Sequence, residues 1–367
     1  MKTNNPLSLY VHIPFCHNIC GYCDFTKLIY NKKLADEYLL SLKKELCSLE
    51  IKHQLKTVYV GGGTPSSLED EQFSFLLRML RVHLAKDYEF TVECNPESLT
   101  KRKLEIMKEC GVNRLSIGVE STDDNILKAI GRQHTFKMVK DVVREAKEMG
   151  MRNISLDLII GLPHVSKEML RKDIENLISL DVEHISCYSL TVHPNTKFYL
   201  DGIEEQDSSL AREYYDIVNE ILENNGFIHY EVSNWSKPSF ESTHNLVYWR
   251  DEEYYAIGLG ASSYVHPYRR KNTMNMAKYL KGDYVSEEEL VTEKDNKVYF
   301  IMLNLRTIHG LDLKKYQNLF NEDLLEAKQK EIEELISSGL IKHENHLLIP
   351  TYEGMMLLDQ VILKLIS

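Results

Sequence analysis

The sequence predicts an α/β protein in which strands and helices alternate along most of the chain. Six runs rich in β-branched and aromatic residues are separated by amphipathic helical segments. Such strands pair in parallel through right-handed crossovers, so the six units form either an open doubly wound sheet or a partial (β/α)6 barrel. In both arrangements a ligand binds beyond the carboxyl ends of the strands. The predicted strands are residues 7–13, 57–60, 88–94, 114–119, 154–160 and 184–190.

The helices between these strands have clear sequence signals. The first is predicted over residues 33–50, and later helices are predicted to end at Gly111, Gly150 and Gly226, because glycine readily adopts a left-handed C-cap. Cys47 lies near the apolar stripe of the first helix and is interpreted as a core thiol. That stripe repeats every three or four positions and consists of Leu34, Tyr38, Leu42, Leu46 and Leu49.

The domain organisation follows from where the alternation stops. A chain of 367 residues is too long for one ordinary core, and we predict a barrel domain at residues 1–225 and an extension at 226–285. The charged stretch 283–289 is interpreted as a linker. Residues 286–367 are predicted to form a small winged-helix-like α+β domain, because amphipathic helices there precede a hairpin at 340–349 and a closing helix at 352–365.

Composition excludes several classes of protein. No run of about 18 apolar residues is present, which excludes a membrane-spanning helix, and the polar stretch 1–6 has no signal-sequence character. Seven cysteines, an odd number with three in one short loop, favour a reducing cytoplasm over a disulfide framework. The net charge of −11 disfavours non-specific binding to nucleic acid or anionic lipid.

Three cysteines lie on the loop after the first strand. Cys16, Cys20 and Cys23 are too many for one disulfide and too few for a tetrahedral zinc site without a fourth ligand. The spacing Cys-x3-Cys-x2-Cys suits a [4Fe-4S] cluster in which one iron has no protein ligand. A zinc site completed by His17 or Asp24, or three unrelated buried thiols, are the alternatives.

Polar and glycine residues follow the next three strands. The triple glycine in Gly61–Pro65 either lets a ligand approach the main chain or forms a tight turn into a helix. Glu93 ends the third strand, where a carboxylate could accept both hydroxyls of a ribose or form a salt bridge. Glu120 ends the fourth strand. Because the carboxyl ends of parallel strands share one edge, we expect these residues to lie together.

Three further side chains are candidates for binding. Arg132 could bind a ligand carboxylate or be a surface cation. Asp157 interrupts an apolar run, so it requires either a ligand or an internal hydrogen-bond network. His244 lies among aromatic residues outside the alternating region, where a neutral imidazole could bind haem iron or be satisfied by hydrogen bonds.

Six segments together resemble the HemN/HemW group of the radical S-adenosylmethionine (SAM) superfamily. That group contains oxygen-independent coproporphyrinogen III oxidases and haem chaperones, and the resemblance covers nearly the whole chain. It implies a partial (β/α)6 TIM-like barrel with a winged-helix-like C-terminal domain. The segments are Tyr10–Cys16, Gly61–Pro65, Arg114–Gly118, Asp157–Pro163, His229–Asn234 and His244–Trp249.

The resemblance assigns roles to individual residues. It implies that Cys16, Cys20 and Cys23 hold the cluster, which reduces SAM by one electron. By the same resemblance, Glu120 departs from the oxidases, which have glutamine there, and an acid repels the carboxylate of a second SAM. The residues implied to contact the cluster-bound SAM are Tyr10, Gly62 and Glu93, and those matching the second-SAM site of the oxidases are Gly63, Thr64, Glu120, Arg132 and Asp157.

Three features separate the branches of the group. The oxidases have a fourth cysteine where this chain has Phe25, and a long N-terminal extension where this chain has six residues before the first predicted strand. The segment His244-Asn-x-x-Tyr-Trp249 resembles the haem-binding motif of the chaperones. The resemblance therefore implies a haem chaperone that holds haem, a [4Fe-4S] cluster and SAM.

The chaperone interpretation implies haem transfer to apo-haemoproteins, including membrane-bound respiratory proteins, by a cytoplasmic protein that contacts the membrane transiently. The first alternative is a coproporphyrinogen III oxidase that uses radical SAM chemistry for oxidative decarboxylation. A second is a zinc-stabilised DNA-binding module, which the acidic charge disfavours. The sequence leaves open whether the chain forms a homodimer.

Overall fold

The structure, a computed structural model, describes residues 7–367. The segment 1–6, for which no signal sequence was predicted, lies outside the described residues. The helices are α1 (Lys32–Ser48), α2 (Asp70–Arg81), α3 (Lys101–Cys110), α4 (Asp124–Ala129), α5 (Phe136–Glu148), α6 (Lys167–Ile178), α7 (Lys197–Leu200), α8 (Ser208–Asn224), α9 (Thr243–Trp249), α10 (Met276–Leu280), α11 (Glu293–Asn304), α12 (Leu313–Phe320), α13 (Leu324–Ala327), α14 (Gln329–Ser337), α15 (Tyr352–Met356) and α16 (Leu358–Ile366). The strands are β1 (Ser8–Ile13), β2 (Phe15–Cys16), β3 (Leu28–Ile29), β4 (Leu55–Gly62), β5 (Leu84–Cys94), β6 (Arg114–Glu120), β7 (Asn153–Ile160), β8 (His184–Ser189), β9 (Ile228–Glu231), β10 (Asn234–Ser236), β11 (Tyr255–Ile257), β12 (Ser262–Val265), β13 (Tyr268–Asn272), β14 (Val285–Leu290), β15 (Leu311–Asp312), β16 (Ile341–Glu344) and β17 (Leu347–Pro350).

The six predicted strands form the centre of one sheet. Strands β1, β4, β5, β6, β7 and β8 pair in parallel in that order, which confirms the alternating strand–helix prediction. Strand β11 extends the sheet in parallel beside β1, and β10 and β9 extend it in antiparallel fashion beside β8. Residues from the carboxyl ends of β4 to β8 line one cavity, so the sheet curves around it as a partial barrel.

The helix ends follow the predicted glycine signals. Gly111 is the left-handed C-cap of α3, with φ of 86°. Gly150 and Gly226 follow the ends of α5 and α8 with φ of 84° and 81°. The interpretation of Cys47 as a core thiol is wrong, because this residue is exposed on α1.

The stretch interpreted as a linker is a strand. Val285–Leu290 forms β14 and pairs in antiparallel fashion with β13, inside a three-stranded sheet with β12. Its acidic residues lie opposite basic ones, with Glu288 across from Arg270 and Glu289 across from Arg269. Opposite charges on paired strands stabilise a sheet. The acidic run that we interpreted as a linker is therefore a strand paired with the basic strand β13.

The C-terminal region has a hydrophobic core of its own. Buried side chains from Phe300 to Leu365 form a cluster separate from the barrel core, around the predicted hairpin, which is β16 and β17. The predicted closing helix is divided at Leu357 into α15 and α16. The barrel core also includes Trp235 and Tyr279 from the extension, while the proposed domain boundaries stay a prediction.

The structure contains no membrane-crossing candidate among residues 7–367, since no helix there is long and apolar enough.

Candidate functional site

The carboxyl ends of the parallel strands surround a cavity of about 410 Å³. Two predicted site residues, Tyr10 and His244, lie outside its lining. The others line it, as the topology predicts for residues that follow successive parallel strands. The predicted residues in the lining are Cys16, Cys20, Cys23, Gly62, Gly63, Thr64, Glu93, Glu120, Arg132 and Asp157.

The cysteine loop is held at this cavity by main-chain hydrogen bonds. Its ends are joined by the pairing of β2 with β3, in which Cys16 lies opposite Ile29. The amide of Gly21 donates to the carbonyl of Ile130 at 3.1 Å, and the carbonyl of Gly21 accepts from the amide of Phe198 at 2.9 Å. The loop is therefore attached to the segments that follow β6 and β8.

The three thiols are a donor set that fits an iron–sulfur cluster. Burial raises the pKa of Cys16 to about 11 and also raises the pKa of Cys23, so iron must displace protons from these thiols on binding. Thr64 donates a hydrogen bond to Cys16 Sγ at 3.5 Å, and Arg132 donates one to Cys20 Sγ at 3.8 Å. Such bonds favour a thiolate.

No three His, Cys, Asp or Glu side chains in residues 7–367 converge on a position for a single metal ion. That finding concerns one ion, whereas a cubane cluster presents a separate iron to each thiolate.

Glu93 lies at the carboxyl end of β5 with two donors on it. Its carboxylate accepts from the Tyr59 hydroxyl at 2.7 Å and from the Gly62 amide at 2.9 Å. Burial raises the pKa of Glu93 to about 7, although both hydrogen bonds act in the opposite direction. A carboxylate at this position could accept the hydroxyls of a ribose, and that role of Glu93 stays a prediction.

Gly62 shows why the turn after β4 requires glycine. It has φ of 111°, and a β-carbon there would lie 2.4 Å from Cε1 of the buried His12. The turn is therefore tight, as one interpretation of the sequence has it, and Gly62 and Gly63 also line the cavity, as the other has it. The two interpretations describe one structure.

Arg132 and Glu120 form a buried ion pair on the cavity wall. The guanidinium lies 3.0 Å from the Glu120 carboxylate and also donates to the carbonyl of Gly118. Burial raises the pKa of Glu120, and Arg132 acts against that rise. Arg132 Nε is buried without a hydrogen-bond partner within the described chain, while the residue itself lines the cavity.

Asp157 has the internal network that the sequence offered as one explanation. Ser116 Oγ donates to its two oxygens at 3.0 and 3.3 Å, and Ser155 Oγ donates at 3.3 Å. Burial raises the pKa of this carboxyl, with the serine hydrogen bonds opposing the rise. Asp157 nevertheless lines the cavity, so it is also available to a ligand.

His244 lies at the amino-terminal end of the sheet, on helix α9. It is 0% exposed, and its two ring nitrogens lie 2.8 Å from the Thr57 and Tyr248 hydroxyl oxygens. Its ring stacks on Tyr59 with centroids 5.2 Å apart. Burial, with the Arg114 guanidinium as a second cause, lowers the pKa of His244 to about 3, so the imidazole is neutral at physiological pH.

Tyr10 is not part of the cavity lining, although it contacts Tyr59, which is. Its hydroxyl is 3.0 Å from His12 Nδ1, and its ring stacks on Tyr59. The predicted contacts of Tyr10 with SAM and of His244 with haem stay predictions.

Sequence reasoning missed several residues of the lining. Tyr59 precedes Gly61 by two positions on β4, and the period of two would have placed both on one face of the sheet. Lys27 donates from Nζ to the carbonyls of Cys23 and Phe25, which closes the cysteine loop. His193 follows β8 and gave no sequence signal beyond that position.

Known proteins resemble the chain over nearly its full length. The family model for the radical SAM superfamily matches residues 10–177, and the model for the HemN C-terminal domain matches residues 291–357. The heme chaperone HemW of Lactococcus lactis is 37% identical over 98% of this chain and 97% of its own length. Those of Bacillus subtilis and Escherichia coli are 37% and 33% identical over 96% and 83% of this chain, and 97% and 84% of their own lengths.

Among solved structures, the coproporphyrinogen III oxidase HemN of Escherichia coli superimposes with a TM-score of 0.86. The match covers 99% of this chain and 90% of the oxidase, at 21% identity. At that identity the match shows a shared fold.

Proposed function

Because the chain belongs to the HemW family of the radical SAM superfamily, we propose that it binds haem, together with a [4Fe-4S] cluster and SAM, and delivers the haem to apo-haemoproteins. The observation that carries this proposal is the convergence of Cys16, Cys20 and Cys23 with Glu93 and Arg132 on one cavity at the carboxyl ends of the strands. The donor set suits the cluster, and the acid and the cation suit the ribose and carboxylate of SAM.

Each group in the cavity has a defined task in this proposal. The three thiols hold the cluster, which supplies one electron to SAM when bound and reduced. Glu93 accepts the ribose hydroxyls, and the guanidinium of Arg132, which lines the cavity, attracts a carboxylate of SAM. The ion pair with Glu120 fixes Arg132 but also offsets its charge, which weakens its attraction for a second carboxylate.

The rival function is oxidative decarboxylation of coproporphyrinogen III. The structural match to the oxidase supports a common fold. The oxidase is 21% identical in sequence to this chain, whereas the Lactococcus lactis chaperone is 37% identical. Phe25 stands where the resemblance gives the oxidases a fourth cysteine, and it is 63% exposed on the cysteine loop. The chaperone function is therefore favoured.

Haem ligation by His244 requires a rearrangement. Both ring nitrogens are engaged and the side chain is closed to solvent, so an iron could reach it only after the bond to Tyr248 or Thr57 breaks. The open form of α9 would then be the haem-binding form.

We place this function in the cytoplasm, with transient membrane contact for delivery to respiratory haemoproteins. All seven cysteines are free thiols, which suits a reducing compartment.

The proposal is tested by haem transfer. The full chain is reconstituted anaerobically with iron and sulfide, loaded with ferric haem, and mixed with an apo-haemoprotein. We expect one haem per chain and its transfer to the acceptor, seen as the acceptor's own absorption spectrum. An anaerobic assay with reductant, SAM and coproporphyrinogen III is run in parallel. Formation of protoporphyrinogen without stable haem binding would establish the oxidase instead.

A further inference from the structure

Thr64 follows the triple glycine and contacts a thiol of the cysteine loop. Its hydroxyl donates a hydrogen bond to Cys16 Sγ at 3.5 Å. Both residues are buried, with 4% of Thr64 and 8% of Cys16 exposed. The main chain holds the two together, because the Thr64 amide donates at 2.8 Å to the carbonyl of Phe15, the residue before Cys16. The hydroxyl is therefore kept beside the sulfur.

The side chain of Asn95 controls where this hydroxyl points. Asn95 comes directly after Cys94, the last residue of β5, and its Nδ2 donates to Thr64 Oγ1 at 3.1 Å. When Cys16 binds iron, its sulfur carries no proton and can only accept a hydrogen bond. A threonine hydroxyl has one proton and two lone pairs, so the proton faces the sulfur while a lone pair faces the amide. The amide thus excludes the orientation in which the proton would face Asn95.

Asn95 is itself fixed by its main chain. Its amide donates to Ser66 Oγ at 3.2 Å, and its carbonyl accepts from the amides of Ser98 and Leu99 at 3.0 and 3.1 Å. Lys103 of α3 donates from Nζ to the carbonyls of Ser66 and Ser98, which joins the two segments. The Asn95 amide is therefore a donor in a fixed position.

A second thiol of the loop shows why Thr64 needs such a partner. Cys20 Sγ accepts from Arg132 at 3.8 Å. The N–H bonds of a guanidinium have fixed directions in one plane, so their aim is set by the side chain alone. A hydroxyl proton rotates about the C–O bond, and its direction depends on the groups around it.

Hydrogen bonds to the sulfurs are among the factors that set the reduction potential of an iron–sulfur cluster. An external low-potential reductant supplies one electron to the [4Fe-4S]²⁺ cluster and gives [4Fe-4S]⁺, and no bond forms or breaks. Because that electron adds one negative charge, a donor at a sulfur stabilises the reduced form more than the oxidised form. Loss of the donor therefore lowers the potential.

We propose that Asn95 is a positioning residue for the cluster, which orients the Thr64 hydroxyl toward Cys16 Sγ and so raises the reduction potential. This inference rests on the proposed cluster and adds what sets its potential. Asn95 acts through Thr64.

The test is a redox titration of the anaerobically reconstituted full chain, without SAM or haem. Dithionite is the reductant, and the electron paramagnetic resonance signal of the reduced cluster is followed. Thr64→Val keeps the shape of the side chain and removes the hydroxyl. We expect the ratio of reduced to oxidised cluster at a fixed potential to fall about tenfold, a shift of about 59 mV to lower potential for one electron. Asn95→Leu should shift the potential in the same direction by less, since the hydroxyl remains but is no longer directed.

Two further variants are the controls. Thr64→Ser retains the hydroxyl and should retain the wild-type potential. Thr91 on β5 is fully buried, and its hydroxyl has no hydrogen-bond partner within the described chain. Thr91→Val is therefore the matched control for a buried threonine and should leave the potential unchanged.

The double variant tests whether Asn95 acts through Thr64. Asn95→Leu should lower the potential of the wild type and leave that of Thr64→Val unchanged, because the group that it orients is already absent. An equal fall in both backgrounds would mean that Asn95 acts independently of Thr64 and would overturn the proposal. Asn95→Ala gives the same comparison if the leucine disturbs folding.

The outcomes separate this inference from the cluster on which it rests. Iron and sulfide are measured in every variant before titration, so that a lost cluster is distinguished from a shifted potential. A wild type that assembles no cluster would remove both. A wild-type cluster whose potential is unchanged in Thr64→Val and in Asn95→Leu would overturn this inference and leave the proposed cluster standing.

Discussion

His193 and His244 lie at opposite ends of the same parallel sheet and show what each end is built to do. His193 follows β8 at the carboxyl ends of the strands, half exposed, with one nitrogen toward Asp24. His244 lies beside Thr57 near the start of β4, with no exposed surface and both nitrogens bonded. His193 is accessible from the cavity, whereas His244 is enclosed and both of its ring nitrogens are engaged within the protein.

The amino end of the sheet around His244, here called the closed end, is connected to the cavity at the carboxyl end, here called the open end. His244 stacks on Tyr59, and the Tyr59 hydroxyl donates to Glu93 at the cavity wall. The main chain of α9 is also fixed there, because the amides of Thr243 and His244 each donate to Glu89 at 2.9 Å. The segment around His244 is thus linked through Tyr59 to Glu93 in the cavity lining.

The largest effect is expected at the open end, from replacing Cys16, Cys20 and Cys23 together by alanine. The variant should assemble no cluster, because no other thiols line the cavity apart from Cys94, which is fully buried in the core beneath it. Iron and acid-labile sulfide are measured after anaerobic reconstitution. Cys47→Ala, on the exposed face of α1, is the control and should retain both. An unchanged sulfide content in the triple variant would exclude this loop as the cluster site.

At the closed end we expect the largest loss of stability. His244→Ala leaves a cavity and strips a partner from the Thr57 and Tyr248 hydroxyls, which should lower the free energy of unfolding by about 2–4 kcal/mol. His193→Ala should change it by less than about 0.5 kcal/mol, as exposed substitutions generally do. Chemical denaturation of both variants measures the difference. Equal stabilities would mean that the two ends do not differ in the way described.

The sequence was enough to predict the sheet and part of the site, but not contacts between residues that are distant in the chain. The alternation of strands and helices was enough to predict the sheet, and strand ends were enough to gather Glu93 and Glu120 with the cysteines. Neighbouring aromatic residues suggested a ligand role for His244. One of its two hydrogen-bond partners, Tyr248, lies in the same segment, but the other, Thr57, is distant in sequence and gave no local signal. The pairing of β13 with β14 was missed for the same reason, because the basic strand that neutralises the acidic one is separate in the chain.

A smaller effect is expected from Glu93→Gln on SAM binding. Hydrogen bonds to a charged group are stronger than those to a neutral amide, so the variant should bind SAM about tenfold more weakly above pH 7. Because the pKa of Glu93 is raised to about 7 by burial, the wild type must lose a proton on binding SAM below that pH. Its affinity should therefore fall as pH falls below 7, and that of the variant should not. Calorimetric titration of the cluster-loaded proteins at several pH values measures both, and parallel profiles would remove Glu93 from the SAM contact.

A further effect, which appears only in acid, is a pH dependence of stability that originates at His244. The pKa of His244 is lowered from 6.5 to about 3 by burial and by the Arg114 cation, so between these values the unfolded chain binds a proton that the folded chain does not. The contribution of His244 to the free energy of unfolding is therefore fully present above pH 6.5. It falls by about 1.4 kcal/mol for each pH unit below that value. His244→Gln should lack this part of the slope, so the advantage of the wild type should shrink toward acid. Tyr248→Phe keeps the buried imidazole and removes one of its bonds, so its stability should run parallel to that of the wild type. Denaturation curves of the three proteins from pH 7 to pH 5 measure these slopes, and a His244→Gln curve parallel to the wild type would mean that the imidazole takes up its proton in the folded chain after all.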